Sequence, residues 1–356
     1  MATRRSKRTR RQARFAVLVG LFVFFAIQGV VAFLVEVRFP QWREPQMTAR
    51  IERFHARTAS QGADAKTVLF LGSSRFEYGI RGDELQPLLS ETLHKPIVVF
   101  NYGVSGGNCL TSQRQWRRLH SSGARPSLVV VEVVPGTLHA ECAGQDLSLA
   151  SRPAAELDWA DIESIQSRAS ARGDLYRENL VARAFPVYGH RLVITGRVVP
   201  KLQPRGHARE PETFQDTSSD PPAEKYAAAL EHAHTEHAWC LAKFRLGAKN
   251  VKDVEALLSD LRSAGVPTML LVAPEGPTFR SWYRPGAWNE IQATLIELCA
   301  RNGATFVNAR EWLDDDAFFD SHHLTVSGGH RFSARLAAEV LAPALKLGAT
   351  TVATRR

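Results

Sequence analysis

Two short segments at opposite ends of the chain carry residue types that together could perform nucleophilic chemistry. Ser74 follows a short apolar run, and Asp320 precedes His323 by three residues. In a tight loop this spacing lets the carboxylate accept a hydrogen bond from the imidazole Nδ1, so that Nε2 can take a proton from a hydroxyl. A serine hydroxyl needs such a base because it is otherwise a weak nucleophile. The two segments therefore predict a Ser74–His323–Asp320 triad.

The elements around Ser74 favour this interpretation. Residues 68–71 are apolar and rich in branched and aromatic side chains, as in a strand that is buried on both faces. Gly72-Ser73-Ser74 then ends the run at the edge where open α/β sheets bind their ligands. The alternative is that Ser74 only caps the following helix. In the triad, the backbone N–H groups of Ser74 and of Gly106, after the second strand, are the expected oxyanion donors.

Strands and helices alternate along most of the chain. This alternation indicates right-handed βαβ crossovers and a parallel sheet covered by helices, which is an α/β fold. The apolar runs predict strands at residues 68–71, 96–101, 127–134, 267–273 and 304–308. The helical patterns predict helices at residues 84–93, 110–122, 250–264, 287–301 and 328–345.

The regular alternation is lost between residues 143 and 246. Residues 158–183 and 225–244 have helical patterns, whereas residues 203–224 are rich in Pro, Ser, Thr and acidic residues and predict an exposed loop. We interpret the block as a mainly helical insertion or cap, a kind of segment that often carries specificity.

The N-terminus has the composition of a membrane anchor. Residues 15–35 contain no charge, and about twenty apolar residues are needed to cross a bilayer as a helix. Seven of the 45 basic residues precede this span without any acidic residue, which predicts a cytoplasmic N-terminus and an extracytoplasmic body, either periplasmic or at the cell surface. A signal peptide cleaved after Val30-Val31-Ala32 is the alternative, and it exports the same body.

The remaining charge argues against a nucleic-acid partner. Without the seven tail residues, 38 basic residues face 36 acidic ones, so the net charge of +9 belongs to the tail. We predict a tail at residues 1–14, a transmembrane helix at 15–35, a stem at 36–64, a catalytic-type domain at 65–346 with the insertion at 143–246, and a second tail at 347–356.

Several other residues invite a chemical role, and each also has a structural interpretation. Cys109 and Cys142 could form a disulfide in an exported body, whereas Cys299 is expected to be a buried thiol.

The spacing of His232, His234 and His237 does not place three ligands on one helix face, so we predict no metal site there. Asp314, Asp315 and Asp316 are expected to form a solvated acidic loop. His322 competes with His323 as the base and is expected to be exposed or stacked.

The residues after the fourth predicted strand are candidates for substrate binding. Glu275, Arg280 and Tyr283 could line an acyl or sugar pocket, together with Arg75 next to the nucleophile, although a structural loop is the equal alternative. The glycine patterns of nucleotide-binding loops are absent, and the sequence implies no metal or organic cofactor.

Three blocks of the sequence resemble the SGNH hydrolases, also called GDSL-type lipases and esterases. They are Gly72-Ser73-Ser74, the segment from Asn101 to Gly106, and the segment from Asp320 to Gly328, in which Leu324 follows His323. The resemblance covers residues 66–345 apart from the insertion. It implies a flavodoxin-like three-layer α/β/α fold and transfer of an acyl group through a serine ester, with Gly106 as an oxyanion donor.

One departure from this pattern concerns the third block. In the family an asparagine follows the third strand and donates to the oxyanion, whereas this chain reads Glu132-Val-Val-Pro135-Gly136 there. Losing one such donor lowers the rate about a hundredfold or more. Asn108 is a candidate replacement. Membrane-linked acyltransferases of surface polysaccharides that resemble this family have the same gap.

Two functions follow as hypotheses. The first is a membrane-anchored extracytoplasmic serine esterase or O-acyltransferase, acting on acyl esters of an envelope polysaccharide or lipid. The second is a non-catalytic envelope protein that uses the same fold to bind polysaccharide or to scaffold a complex.

Overall fold

A computed structural model describes residues 2–62, 64–141, 154–166, 172–199, 201 and 220–347 of the chain. Its contacts divide the chain into two compact units. The helical unit contains Met1–Ala49 and Ser151–Glu212, and the sheet unit contains Arg50–Ala150 and Thr213–Arg356. The predicted domain boundaries stay predictions.

The sheet unit is built on five parallel strands in the order β2-β1-β3-β4-β5. This order confirms the predicted α/β fold with a flavodoxin-like parallel sheet. Because β2 lies on one side of β1 and the later strands on the other, the order reverses between β1 and β3, and ligands bind at such a switch point. The strands are β1 (Lys66–Leu71), β2 (Ile97–Asn101), β3 (Leu128–Glu132), β4 (Thr268–Val272) and β5 (Thr305–Asn308).

The helices of the sheet unit cover both faces of the sheet, which gives the three predicted layers. One face packs against α4, α14 and α15, where Phe70, Leu85 and Phe332 share one apolar core. The other face packs against α5, α11 and α13. The helices are α2 (Pro45–Ser60, which begins before the unit boundary), α3 (Ser74–Gly79), α4 (Gly82–Leu93), α5 (Cys109–Ser121), α10 (Tyr226–Ala242), α11 (Ala248–Ser263), α12 (Pro277–Arg280), α13 (Ala287–Asn302), α14 (Val326–Leu336) and α15 (Ala342–Leu347).

Two details of these helices differ from the sequence prediction. The short helix α3 begins directly at Ser74, because Ser73 caps it, and six residues are too few to show a helical period in the sequence. The helix predicted at residues 328–345 begins as α14 at Val326, with Thr325 as its cap, so Gly328 is not its first residue. Gly328 is needed instead because a side chain there would overlap the carbonyl group of Ala317.

The helical unit contains the N-terminal apolar helix. The segment Arg10–Arg38 is long and apolar enough to cross a membrane, and only 6% of its most apolar window is buried. The helices of this unit are α1 (Ala2–Phe33), α6 (Trp159–Gln166), α7 (Arg172–Ala184), α8 (Pro186–Gly189) and α9 (Arg191–Val198). The predicted helix at 158–183 is thus two helices, between which residues 167–171 lie outside the described part. Most of the predicted loop at 203–224 also lies outside it.

The cysteines correct one expectation. Cys109 and Cys299 are buried thiols, whereas Cys240 is disulfide-bonded. The bridge considered between Cys109 and Cys142 is therefore wrong, and Cys142 itself lies outside the described residues.

Candidate active site

The serine at the end of β1 faces the imidazole before α14. Ser74 Oγ lies 2.7 Å from His323 Nε2, although the two residues are 249 positions apart in the chain. The neighbouring Ser73 caps α3, since its Oγ accepts a hydrogen bond from the N–H of Arg75 at 3.1 Å. The capping role considered for Ser74 therefore belongs to Ser73, and the hydroxyl of Ser74 is directed to the imidazole.

Asp320 holds the imidazole by its other nitrogen. Its Oδ2 lies 2.7 Å from Nδ1 of His323, while its Oδ1 accepts from the backbone N–H groups of His322 and His323 at 3.0 and 2.6 Å. Burial alone would raise the pKa of Asp320, but hydrogen bonding by His323 and the nearby imidazoles lower it to about 2. The carboxylate is therefore ionised at neutral pH and fixes the proton of His323 on Nδ1.

The turn that carries Asp320 and His323 is fixed by side-chain contacts. Ser321 has a positive φ of 66°, and its Oγ donates to Asp315 at 2.6 Å and accepts from the N–H of Phe279 at 3.0 Å. Asp315 also accepts from the hydroxyl of Thr278 at 2.7 Å. The acidic loop expected to be only solvated thus includes one carboxylate, Asp315, that braces the turn.

Aromatic rings set the orientation of the catalytic-type imidazole. The ring of Phe319 stacks on His323 at 5.6 Å with an interplanar angle of 9°, and Tyr78 meets it edge-on at 5.8 Å. His322 is only 8% exposed and packs against Phe279 with ring centroids 5.0 Å apart, so its predicted stacking is found and its predicted exposure is not. Burial, with the nearby His323 and Arg75, lowers the pKa of His322 well below its usual value.

The loop after β2 approaches the nucleophile closely. Val104 donates its N–H to the carbonyl oxygen of Gly72 at 3.1 Å. A side chain at Gly107 would lie 2.6 Å from that same oxygen, so only glycine permits the approach. Gly106, with a φ of 69°, lines the same cavity as Ser74, as the predicted oxyanion assignment requires.

Asn108 also lines this cavity and caps α5. Its Oδ1 accepts from the backbone N–H of Thr111 at 3.0 Å. The side-chain donor of Asn108 is its Nδ2 group.

A buried carboxyl group under the nucleophile was missed by the sequence reasoning. Glu132, the last residue of β3, is 3% exposed, and its Oε2 accepts from the N–H of Ser73 at 2.6 Å. Its other oxygen is buried without a hydrogen-bond partner. The carboxyl group lies at the end of β3, after which the SGNH hydrolases carry an asparagine. The available signal was an acidic residue inside an otherwise apolar strand, which is rare without a purpose.

The burial of Glu132 makes a prediction about stability and pH. Burial raises its pKa, although the charge of Arg75 and the hydrogen bond from Ser73 oppose the rise. The folded state therefore favours the neutral acid, and stability from this group is lost as pH rises from the ordinary glutamate value of 4.5 through the folded pKa. We expect Glu132→Gln, a neutral isostere, to remove this loss. The free energy of unfolding of the unchanged protein and of Glu132→Gln is measured by urea unfolding in detergent at pH 4 and pH 8. An equal change in this free energy between the two pH values in both proteins would contradict the expectation.

Three predicted substrate-binding residues lie behind the cavity instead of lining it. Glu275 is fully buried, and its carboxylate accepts from Arg75 at 2.9 Å, from Arg310 at 2.7 Å and from the Tyr283 hydroxyl at 3.1 Å. Arg280 donates to the backbone oxygen of Glu275 at 2.7 Å. Of the four predicted residues only Arg75 lines the cavity, whereas Tyr283 and Arg280 are held by the carboxylate and the backbone oxygen of Glu275.

This network predicts a large loss of stability when its centre is changed. Glu275→Gln keeps the shape of the side chain but leaves the guanidinium groups of Arg75 and Arg310 buried without a counter-charge. Breaking a buried ion pair in this way costs about 3 kcal/mol. The free energy of unfolding in urea measures the loss. Glu290→Gln, which breaks an exposed pair with Arg284, is the matched control and should cost less than about 1 kcal/mol. Equal losses would show that the network contributes no special stability.

The triad opens into a cavity of about 520 Å³ that α10 helps to enclose. The cavity wall combines apolar side chains with the polar groups of the triad and the glycine loop. The predicted insertion thus contributes to the site through its last helix. The lining residues include Gly106, Gly107, Asn108, Val134, Gly136, Thr137, Glu236, His237, Trp239, Cys240, Leu241 and Phe279.

The histidines of α10 separate in the structure. His237 lines the cavity and meets the ring of His322 at 5.2 Å, whereas His232 pairs with Glu236 on the surface and His234 packs on Trp282. A different group, formed by Asp320, His322 and His323, places three potential ligand atoms within 4.8 Å of one another. Those of Asp320 and His323 are the atoms that connect the triad.

Comparisons by sequence are sparse. A protein-family model without a descriptive name matches residues 243–344, which is well under half of the chain. Among curated proteins, none matches the sequence.

Comparisons by structure find esterases and lipases. Esterase EstA from Pseudoalteromonas sp. is 12% identical with a TM-score of 0.36, covering 76% of this chain and 94% of that one. The lipase/acylhydrolase from Enterococcus faecalis is 10% identical with a TM-score of 0.36, covering 77% and 95%. The acetyl xylan esterase AlAXEase is 13% identical with a TM-score of 0.37, covering 77% and 100%.

Proposed function

We propose that this protein is a serine esterase or O-acyltransferase of the SGNH type. One observation carries the proposal: Ser74 Oγ, the His323 ring and the Asp320 carboxylate form a continuous hydrogen-bonded series with both links at 2.7 Å. A serine that only caps a helix has no need of an oriented imidazole. This favours catalysis over the alternative of a non-catalytic envelope protein.

The reaction follows from the direction of these hydrogen bonds. Ser74 Oγ attacks the carbonyl carbon of an ester while His323 Nε2 takes the hydroxyl proton. The carbon–oxygen bond of the ester then breaks, and the leaving alcohol takes that proton from Nε2. Water or a second hydroxyl group attacks the resulting acyl-serine while His323 Nε2 takes its proton. The bond between the acyl carbon and Ser74 Oγ then breaks, and Oγ takes that proton back from Nε2. Asp320 stabilises the transient imidazolium through Nδ1.

The oxyanion of the tetrahedral intermediate needs donors beside Ser74. We assign the backbone N–H groups of Ser74 and Gly106 to it, because the glycine loop is held against the nucleophile segment. Asn108 Nδ2 is our candidate for the third donor, since Glu132 occupies the end of β3 and bonds to Ser73 instead. Each preorganised donor is worth about a hundredfold in rate.

We propose that the body lies outside the cytoplasm and is held at the membrane by α1. The basic residues before the apolar segment and its length support this topology. An esterified glycan or lipid of the cell envelope is the proposed substrate, because an anchored enzyme meets such molecules at its own membrane.

The experiment that tests the proposal compares hydrolysis with transfer. The full-length protein in detergent is incubated with p-nitrophenyl acetate, with and without oligosaccharides as acceptors, and both p-nitrophenol and acetylated sugar are quantified. Release of p-nitrophenol without sugar product identifies an esterase, and sugar-dependent acetylation identifies a transferase. Neither release nor transfer with any acyl donor, together with glycan binding, would support the non-catalytic alternative instead.

A further inference from the structure

The short helix α8 of the helical unit contacts the apolar helix α1 at the level of Gln28. The N–H of Val187, in α8, donates to Oε1 of Gln28 at 3.2 Å. The rings of Phe24 and Phe185 lie beside this bond with centroids 6.1 Å apart. Gln28 is only 8% exposed, whereas its neighbours on the preceding turns are exposed. The one polar side chain of the span thus finds its partner in α8.

The level of Gln28 along α1 lies within the hydrocarbon core of a bilayer that α1 would cross. From Phe15 to Gln28 the helix rises about 20 Å, at about 1.5 Å per residue. The hydrocarbon core is about 30 Å thick, so a span that begins at Phe15 ends near Leu34. The contacts of α8 therefore lie about 10 Å below the outer boundary of the core, and tilting of the helix places them deeper.

The helices next to this contact expose apolar side chains. The exposed fractions are 54% for Leu180, 36% for Val187, 58% for Tyr188 and 66% for Val198. So many exposed apolar side chains favour contact with lipid over contact with water.

Basic and aromatic side chains accompany them. The guanidinium of Arg191 lies 4.1 Å from the ring centre of Tyr188, and that of Arg197 lies 5.9 Å from that of Trp42. Aromatic residues with arginines are typical of the membrane–water boundary, where arginine attracts anionic headgroups.

We propose that α8 and the flanking parts of α7 and α9 form a second membrane-binding surface, which enters the outer boundary of the bilayer beside α1. Its occupant is lipid, with acyl chains on the apolar side chains and headgroups on Arg191 and Arg197. The proposal rests on the membrane-spanning role of α1 and goes beyond it, since a plain anchor needs no other contact with lipid.

Depth-dependent quenching in liposomes tests this surface on the full-length protein. Val187→Cys is labelled with an environment-sensitive fluorophore and reconstituted with lipids that carry a nitroxide near the headgroup. Phe22→Cys, 74% exposed on α1, reports the span, and Leu88→Cys, 40% exposed in the sheet unit, is the control outside the proposed surface. Unsubstituted protein treated with the same reagent gives the background from native thiols, and circular dichroism checks that each variant is folded.

We expect the nitroxide lipid to remove about half of the fluorescence at residue 187, as at Phe22, and none at Leu88. Tyr188→Cys repeats the measurement at a second exposed position in case Val187→Cys folds poorly. Quenching at Phe22 without quenching at 187 and 188 would overturn the proposal while leaving the anchor in place. Lack of quenching at Phe22 would remove both. Neither result depends on whether the protein hydrolyses esters.

Discussion

Ser74→Ala is expected to lower kcat for an acyl ester by at least about a thousand-fold. The reason is geometric: Ser74 Oγ is the hydroxyl that lies 2.7 Å from the His323 base, so no acyl-enzyme can form without it. Turnover of p-nitrophenyl acetate and labelling by a fluorophosphonate probe both measure the loss. The probe reacts only with an activated serine, so it reports the nucleophile even when the natural substrate is unknown.

The adjacent serine is the matched control for this experiment. Ser73→Ala removes the same atom one residue earlier, where Oγ accepts the N–H of Arg75 and caps α3. It should retain labelling and lose about 1 kcal/mol of stability through the missing cap. If Ser74→Ala were labelled as strongly as the unchanged protein, Ser74 would not be the nucleophile.

Asp320→Asn is expected to lower kcat about ten-thousand-fold while leaving the protein folded. The asparagine keeps an oxygen for the backbone N–H groups that Oδ1 accepts, but its amide group cannot accept from Nδ1 as the carboxylate does at 2.7 Å. The imidazole then loses the tautomer in which Nε2 is the base. Values of kcat and KM for one ester should show the loss in kcat, with KM little changed.

The neighbouring histidine separates this effect from general disturbance of the turn. His322 also contacts Asp320, through its backbone N–H and its Nδ1, but its ring packs against Phe279 and is not a link in the hydrogen-bonded series from Ser74 to Asp320. We expect His322→Gln to retain activity within about tenfold, because Asp320 still holds Nδ1 of His323 when the ring of His322 is removed. A loss equal to that of Asp320→Asn would instead give His322 a part in the chemistry.

Local patterns in the sequence were enough for the fold class, and they were the basis on which the triad residues were predicted. A parallel strand that is buried on both faces is apolar at nearly every position. Residues 68–71 and the later apolar runs are therefore recognisable as strands from their composition. Asp320 and His323 are recognisable because their contact is formed within one turn, over three residues. Nothing local shows that this turn meets Ser74, and only the folded chain brings the two segments to 2.7 Å.

The surroundings of the triad depended on contacts between distant segments, which local pattern does not encode. Glu132 is an acidic residue inside a strand and Glu275 follows one. The fold buries Glu132 against the N–H of Ser73 and surrounds Glu275 with Arg75, Arg310 and Tyr283. The depth at which Gln28 meets α8 was equally invisible. Periodicity and short spacing are local signals, so the elements and the candidate triad could be predicted from the sequence. The partners of the buried polar groups became known from the folded chain, because burial and charge compensation arise when separate segments pack.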